Sequence, residues 1–423
     1  MNVVHKLSLA LTLAFAASAF STVARADYLP DPAAAEAALW ASPTVAQARG
    51  ELAAQTLRSE SLQRGREEWT LGADVLQRHI DDPRERQAEW GVALSRPLRL
   101  PGRAEADRSL ASALTAHAEA SLGEALHESG RQLLGLWFDW LNAAEQARAL
   151  LDQLAVAEQQ LAAVNARIRL GEAARAERVN AEAALGQVRV QQQQAASRDQ
   201  LARSRLRAHF PGLPLAADAG LPAPPSPEGT ADDYVTAVLE HNHELFRARR
   251  QAGVLQAEAR KLARHRGVDP SVGGFYRNEA GGNEHVLGLN LGLTLPGAAR
   301  RTDQQAAEAL AAVAQDAALR LEERLRLVAR ADFETAVAQV AIWQQAERSA
   351  QALAEAARLS ARAYALGEGS LDPVLVNRRL ALDAALQARQ AQVEALAMQA
   401  RLKLDAHRLW PLDVDADVAH VHP

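Results

Sequence analysis

The sequence of 423 residues contains no cysteine and few aromatic residues, namely 7 Trp, 4 Tyr and 7 Phe. The lack of cysteine excludes disulfide frameworks, thiolate metal sites and cysteine nucleophiles. A formal net charge of −5 removes a general attraction toward nucleic acid. Hydrophobic residues still make up 48% of the chain, which excludes disorder. Because few of these residues are aromatic, the composition favours long close-packed helices.

A long apolar run is present only at the N-terminus. Residues 7–20 are apolar and follow Lys6, and small residues at Ala24 and Ala26 suit cleavage. This three-part pattern predicts a secretory signal peptide over 1–26. The run is shorter than the roughly 20 residues that a transmembrane helix needs. If the mature chain enters a bilayer, it must therefore do so with strands.

The sequence contains two copies of one pattern. The motif Leu100-Pro101-Gly102 recurs as Leu295-Pro296-Gly297 at an offset of 195 residues, and Leu170-Gly171-Glu172 recurs as Leu366-Gly367-Glu368 at an offset of 196. Matches in the same order at a nearly constant offset indicate an internal duplication. Six of the 17 prolines lie between 211 and 227, where neither a helix nor a central strand can form.

The two copies are predicted to have the same order of elements: a helical stretch, a β-hairpin and a long helical hairpin. After the signal peptide at 1–26, the first repeat is predicted at 27–210, with a helix at 32–66, a β-hairpin at about 69–100 and a helical hairpin at 103–210. A proline-rich linker at 211–230 leads to the second repeat at 231–410, with a helix at 231–266, a β-hairpin at about 271–295 and a helical hairpin at 300–408. A C-terminal tail follows at 411–423.

The predicted strands are amphipathic. In the predicted strand at 286–295, leucine occupies every second position from 287 to 295, and the positions between these leucines are small or polar. In the first copy we predict strands at 69–80 and 89–100, joined by a polar connection at 81–86. A soluble sheet could bury the leucine face, but a strand of a membrane barrel needs the same alternation. Four strands cannot close a barrel, so several chains would share one, and three chains would supply twelve strands.

The predicted helical hairpins are very long. Apolar residues recur at helical spacing from Leu110 to Leu141, and no proline occurs between 105 and 210. One helix over 103–169 would be on the order of 100 Å long. The predicted fold class is therefore mainly α with a small β part. If the strands enter a membrane, the long antiparallel helical hairpins form a periplasmic barrel and four strands per chain contribute to a shared transmembrane β-barrel.

These features resemble the TolC-type outer membrane factors, the exit ducts of tripartite efflux pumps and of type I secretion. The resemblance is carried by the duplication, by the Leu-Pro-Gly junctions at 100–102 and 295–297, by the turn from Tyr364 to Leu371, and by Asn242-His243-Glu244-Leu245. The Gly-Glu-Gly-Ser turn and the Pro-Gly-Arg junction are more similar to the heavy-metal (CzcC-like) branch, which serves resistance-nodulation-division pumps.

The resemblance implies a homotrimeric duct in the outer membrane of a Gram-negative bacterium, with most of its mass in the periplasm. It implies contacts with a periplasmic adaptor (membrane fusion) protein, an inner-membrane pump and membrane lipid, and it implies no catalysis, no cofactor and no nucleic acid. The residues that it assigns to the adaptor contact at the helical tips are Gly171, Glu172, Gly367, Glu368, Gly369, Ser370 and Leu371.

Acidic residues just beyond the tips are expected to line the aperture of such a duct. In the first copy Glu177 occupies the position where such an acidic residue is expected. In the second copy the equivalent position is Pro373, and Asp372 directly precedes it. Asp372 is equally well predicted to be an N-cap, with proline at the first helical position.

Other functions remain open at the level of sequence. A drug-efflux or type I secretion duct would look alike, and a soluble periplasmic coiled-coil structural or adaptor protein would bury the strands in a small β domain. No phosphate-binding glycine loop, His-Glu-x-x-His motif or nucleophile elbow is present. A periplasmic metal-binding protein is a third class, with His241 and His243 or the terminal His420 and His422 as candidate ligands.

Overall fold

The computed structural model describes residues 28–65, 67–215 and 220–410. The predicted signal peptide and the C-terminal tail with His420 and His422 lie outside these ranges. The described ranges hold one antiparallel sheet and eight α-helices. Their bounds are α1 Pro32–Trp40, α2 Pro43–Arg64, β1 Thr70–Asp81, β2 Arg84–Pro97, α3 Pro101–Arg169, α4 Arg175–His209, α5 Ala231–His241, α6 His243–Arg264, β3 Asp269–Glu279, β4 Glu284–Thr294, α7 Ala299–Ala365 and α8 Leu371–Asp405.

The helix that opens each repeat is interrupted. Sequence periodicity predicts single helices over 32–66 and 231–266, and both predictions are wrong because a capping residue divides each stretch. Ser42 accepts a hydrogen bond from the amide of Val45 and starts α2. Asn242 accepts one from the amide of Leu245 at 2.8 Å and starts α6. Short polar side chains compete with the helical backbone for hydrogen bonds, so they favour such breaks.

The four strands form one sheet in the order β1-β2-β3-β4, with every neighbouring pair antiparallel. Strand β2 begins at Arg84, five residues before the predicted start at Glu89. The charged residues assigned to the connection therefore belong to the hairpin, where His79 faces Arg86. Charged side chains do not prevent strand pairing where both faces are exposed, which is why the predicted connection was too long.

One face of the sheet is apolar across all four strands. The pairing registers place Val75 opposite Trp90, Val92 opposite Tyr276, and Tyr276 opposite Leu287. The exposed large apolar side chains of this face are Leu71, Val75, Trp90, Val92, Leu94, Val272, Leu287, Leu289, Leu291 and Leu293. Exposure reaches 88% at Leu289. No other part of the described chain covers this surface.

The opposite face of the sheet carries mostly small and polar residues. A Cβ added to Gly288 would lie 2.4 Å from the Phe275 ring, and one added to Gly292 would lie 2.5 Å from the hydroxyl of Ser271. The side chains of β3 therefore lean over glycines of β4. The two faces of one sheet thus differ in chemistry, as the alternation in the sequence predicts.

The long helices continue directly from the sheet. Helix α3 has 69 residues and α7 has 67, so each is on the order of 100 Å long at about 1.5 Å per residue. Each is followed by an antiparallel partner of 35 residues, α4 or α8. The predicted fold class, mainly α with long helical hairpins and a small β part of four strands, is confirmed. Among the helices that the structure describes, none is both long and apolar enough to cross a membrane.

The largest apolar core surrounds the middle of α3. Trp137 and Trp140 are buried there together with Tyr28 from the start of the described chain and Trp410 from its end. The Trp137 indole donates a hydrogen bond to the carbonyl of Tyr28 at 2.9 Å. The two ends of the described chain and the start of the linker therefore converge on one level of the helical bundle.

The proline-rich linker is bound to α8 by two buried glutamines. Gln392 donates hydrogen bonds to the carbonyls of Leu221, at 3.1 Å, and of Pro222, at 2.9 Å. Gln399, two helical turns further along, donates to the carbonyl of Pro225. Because proline has no amide proton, these side chains satisfy carbonyls that the linker cannot pair within itself.

Candidate functional site

The candidate site is the end of the molecule where the long helices reverse direction. Helices α3 and α7 end in the same turn, with Gly171 and Gly367 both at a φ of +78°. In each turn the amide of the following glutamate, Glu172 or Glu368, donates to the carbonyl five residues earlier at 2.9 Å. This is the Schellman motif, in which a residue with positive φ is needed and glycine fits without strain. We call the turns at 170–175 and 366–371 the helical tips.

Most of the predicted adaptor-contact residues are on the surface of the helical tips. Gly171, Glu172, Gly367, Glu368, Gly369 and Ser370 are all exposed. Leu371 is only 1% exposed and packs among Val164, Tyr364 and Val374. Its side chain therefore belongs to the core beneath the tips and is not available to a partner in this structure.

Two exposed leucines were missed from the predicted set. Leu170 is 73% exposed and Leu366 is 64% exposed, and each lies directly before the glycine of its tip. The repeated Leu-Gly-Glu motif is a signal that could have found them. Each tip thus presents an apolar side chain next to an acidic one, Glu172 or Glu368.

Arg167, near the end of α3, connects the first helical hairpin to the second. Its guanidinium donates a hydrogen bond to the carbonyl of Tyr364 at 3.2 Å and lies over the Tyr364 ring at 4.4 Å. The same guanidinium is 3.9 Å from the carboxylate of Glu172. Arg167 therefore joins the tip of the first copy to the end of α7 in the second copy.

Tyr364 also binds a predicted aperture residue. Its hydroxyl donates a hydrogen bond to the Glu177 carboxylate at 2.6 Å. Burial, followed by this bond to Glu177, raises the pKa of Tyr364. The phenol therefore stays protonated and remains a donor throughout the physiological pH range. Glu177 is half-buried and engaged between the hairpins, which the sequence alone did not reveal.

Asp372 is not the N-cap of α8, so that prediction is wrong. The N-cap is Ser370, and the helix begins at Leu371, which the apolar core beneath the tips buries. Pro373 is tolerated in the first turn because its missing amide proton would have no helical partner there. The Asp372 carboxylate instead accepts a hydrogen bond from the side-chain amide of Asn180 at 3.2 Å. Glu177 and Asp372 thus both link the first helical hairpin to the second.

A second cluster of polar residues lies where the strands meet the long helices. The carboxylate of Asp269, at the start of β3, accepts hydrogen bonds from Arg103 of α3 and from Arg300 of α7. Arg103 also donates to the carbonyl of Val268 at 2.9 Å, and Arg300 donates to the carbonyl of Gly267 at 2.9 Å. One carboxylate therefore fixes the start of both long helices against the sheet. We call this the junction cluster.

The histidines considered as metal ligands lie elsewhere. His241 ends α5 and His243 begins α6, on either side of the Asn242 cap. Within the described ranges, no group of three or more His, Cys, Asp or Glu side chains is arranged to hold a metal ion. The other candidate pair, His420 and His422, lies outside the described residues.

The sequence matches no protein-family model and no curated protein. Solved structures do match the fold. The Campylobacter jejuni CmeC outer membrane channel is 14% identical with a TM-score of 0.72, covering 93% of this chain and 89% of that one. The outer membrane protein VceC of Vibrio cholerae is 16% identical with a TM-score of 0.67, covering 91% and 99%.

The open state of the Neisseria gonorrhoeae MtrE outer membrane channel is a third match. It is 19% identical with a TM-score of 0.63, covering 90% of this chain and 91% of that chain. The likeness extends over nearly the full length in all three cases, although few residues are shared. The chain therefore has the fold of these outer membrane channels.

Proposed function

We propose that this protein is an outer membrane exit duct of an efflux system, through which substrates pass without catalysis. The observation that carries the proposal is the exposed apolar face of the sheet, joined in one chain to helical hairpins on the order of 100 Å long. The shared fold with outer membrane channels supports the same conclusion.

The sheet has the properties of a segment of a lipid-facing barrel wall. Its leucine-rich face suits hydrocarbon, and its glycine-rich face leaves room for a lumen. Strands β1 and β4 each have one unpaired edge within the described chain. An unpaired edge is costly in lipid, so copies of the chain must pair edge to edge. A homotrimer gives twelve strands and places the helical hairpins together on the periplasmic side.

We propose that the helical tips meet the periplasmic adaptor protein. Leu170 and Leu366 supply exposed apolar contacts, and Glu172 and Glu368 supply charge beside them. Since the duct itself has no energy source, an inner-membrane pump of the resistance-nodulation-division type would drive transport. Glu177 and Asp372 are the proposed acidic residues of the aperture.

The substrate class is a separate proposal. The turn at 367–370 and the junction at 101–103 resemble those of ducts that serve heavy-metal pumps, so we propose metal cations as the cargo. A strain that lacks this gene should grow more poorly than its parent in zinc, cobalt or silver salts. Unchanged tolerance of these metals together with a new sensitivity to drugs or detergents would assign the duct to drug efflux instead.

The duct proposal is tested by where the protein is found and by what it does there. We expect outer-membrane fractions to contain heat-resistant trimers that conduct ions in planar bilayers. Leu289→Arg, on the apolar face, should reduce membrane recovery, because a lipid-facing arginine costs about 2–4 kcal/mol near the bilayer centre. The matched variant Asn290→Arg, on the other face, should insert normally.

Recovery of the wild-type protein as a soluble periplasmic species would refute the duct and favour a coiled-coil structural or adaptor protein. The aperture roles have their own test. Glu177→Lys and Asp372→Lys should still assemble but should change conductance or coupling to the adaptor. Wild-type conductance and efflux in both variants would show that these residues do not line the aperture.

A further inference from the structure

A cavity lies in the seam between the two helical hairpins. Its volume is about 190 Å³, and residues of α3, α4 and α8 line it. On the side of the tips, Ala181 lines the cavity and also packs in the core beneath the tips. On the other side, Leu382 lines the cavity and packs with Leu150 and Ala195. The hairpins are therefore in apolar contact above and below the cavity and are separated at its level.

The polar part of the lining carries positive charge and no negative charge. Among the described residues that line the cavity, none is Asp or Glu. This contrasts with the whole chain, in which 52 Asp and Glu exceed 47 Lys and Arg. The polar residues of the lining are two arginines and four glutamines, namely Arg378, Arg379, Gln153, Gln160, Gln187 and Gln191. A bound anion would therefore meet no like charge in the cavity wall.

Arg378 of α8 has no anionic partner in the described chain. It is half-buried, and burial lowers the pKa of its guanidinium with no carboxylate near enough to counter the effect. Arg189 on α4 differs, because it is exposed and pairs with Glu158 at 3.0 Å. Removing a charge from water without a partner is costly, so an anion beside Arg378 would stabilise this part of the seam.

Gln160 of α3 supplies a second donor that lacks an acceptor. Its side-chain nitrogen is buried and forms no hydrogen bond with the described residues. Buried polar groups are almost always hydrogen-bonded, so this nitrogen needs an acceptor that the described chain does not provide. Gln160 and Arg378 thus line one cavity from different helices, and an anionic oxygen is an acceptor for both kinds of donor.

The rest of the lining is apolar. Its larger apolar residues are Val156, Val188, Leu375 and Leu382. A simple inorganic anion would leave these side chains in contact with water, whereas a short hydrocarbon chain would cover them. The cavity is smaller than the roughly 300–1,000 Å³ of a site for a drug-sized molecule, so it suits a small ligand. Gln187 and Arg379 are exposed, which leaves the cavity open to solvent.

We propose that this cavity binds a small organic anion, with a carboxylate at Arg378 and Gln160 and a short hydrocarbon chain against the valines and leucines. The site lies within one chain, so every copy in an assembly would hold its own ligand. A bound anion would join α8 of the second hairpin to α3 and α4 of the first. The proposal does not depend on the duct function, because the site is complete within the described chain.

The absence of cysteine from the sequence allows a direct assay. Val188→Cys places a single thiol in the cavity wall, and the control Val190→Cys places one on the exposed surface of the same helix. The rate of modification by N-ethylmaleimide is measured in full-length, detergent-solubilised protein. The added probes are hexanoate and, as a neutral molecule of the same length, hexan-1-ol.

We expect hexanoate to protect only the thiol in the cavity. At ten times its dissociation constant it should slow modification of Val188→Cys about tenfold and leave Val190→Cys unchanged. Hexan-1-ol at the same concentration should slow Val188→Cys less than about twofold, because it lacks the charge that Arg378 binds.

Two arginine variants, each combined with Val188→Cys, test the role of the charge. In Arg378→Gln the hexanoate concentration for half-protection should rise at least about tenfold, as expected when a hydrogen bond to a charged group is lost. Arg189→Gln is the control, because Arg189 is exposed and does not line the cavity; half-protection should be unchanged. Without hexanoate, Arg378→Gln should melt no lower than its parent, since the described chain gives Arg378 no partner to lose.

Equal protection by hexanoate and hexan-1-ol, or unchanged half-protection in Arg378→Gln, would overturn the proposal. So would a Val188→Cys thiol that is unreactive without any probe, because the assembly would then fill the cavity. A lower melting temperature of Arg378→Gln, with no effect of hexanoate on the parent, would show that a carboxylate of a neighbouring copy pairs with Arg378 instead. Neither conductance nor efflux is measured, so a failure here leaves the proposed duct function untouched.

Discussion

Replacement of Asp269 by asparagine should destabilise the start of both long helices. The change keeps the size of the side chain but removes the charge that Arg103 and Arg300 share. Loss of one partner costs about 3–5 kcal/mol in a buried ion pair, whereas an exposed pair is worth at most about 1 kcal/mol. The side chain of Arg103 is 9% exposed, and those of Arg300 and Asp269 are 31% and 32% exposed.

The junction cluster thus lies between the two limits. Arg103 also keeps its bonds to the carbonyls of Val268 and Gly267 after the change. We therefore expect a loss of about 2 kcal/mol per chain. Heating the detergent-solubilised protein, followed by circular dichroism of the helices, should show unfolding about 2 °C below the wild type.

The control is Asp303→Asn on the exposed surface of α7, where the carboxylate forms no ion pair with the described residues. Arg103→Gln should be more destabilising than Arg300→Gln, because the Arg103 side chain is more buried. If Asp269→Asn and Asp303→Asn unfold at the same temperature, the charge of Asp269 contributes nothing to stability and the expected loss of about 2 kcal/mol is refuted.

Two further predictions concern the helical tips. Tyr364→Phe removes a hydrogen bond to a carboxylate and should lower the local stability of the tips by about 1–2 kcal/mol. Hydrogen exchange of the amides near the tips should therefore become faster. Exchange as slow as in the wild type would show that the bond does not stabilise the tips. Gly367→Ala should destabilise by about 1–2 kcal/mol because its φ is +78°, while Gly186→Ala inside α4 should stabilise by about 0.5–1 kcal/mol. Thermal unfolding measures the stability of both glycine variants. A change of stability in the same direction in Gly367→Ala and Gly186→Ala would contradict the turn geometry.

Much of the architecture could be predicted from sequence because the local signals agree with one another. Alternating leucines, the long helical period and the Leu-Pro-Gly junctions all specify the same order of elements, and the structure has that order. The breaks at Ser42 and Asn242 were missed because a single capping side chain outweighs a weak periodic pattern over a short stretch.

The candidate site was predictable only in part. The tip glycines and glutamates follow from local turn chemistry, which repeats in the sequence. The contacts of Arg167 with Tyr364, and of Tyr364 with Glu177, join residues about 190 positions apart and depend on how the two helical hairpins pack. No spacing rule connects such positions.

The binding of the linker by α8 has a consequence for how the two halves of the chain can evolve. Gln392 and Gln399 are committed to carbonyls that exist only because the copies are joined. Halves made as separate polypeptides that both lack residues 211–230 would leave these amides without acceptors in a buried position. Loss of the linker is therefore costly to the second half, because α8 has become the binding site for the segment that joins it to the first half.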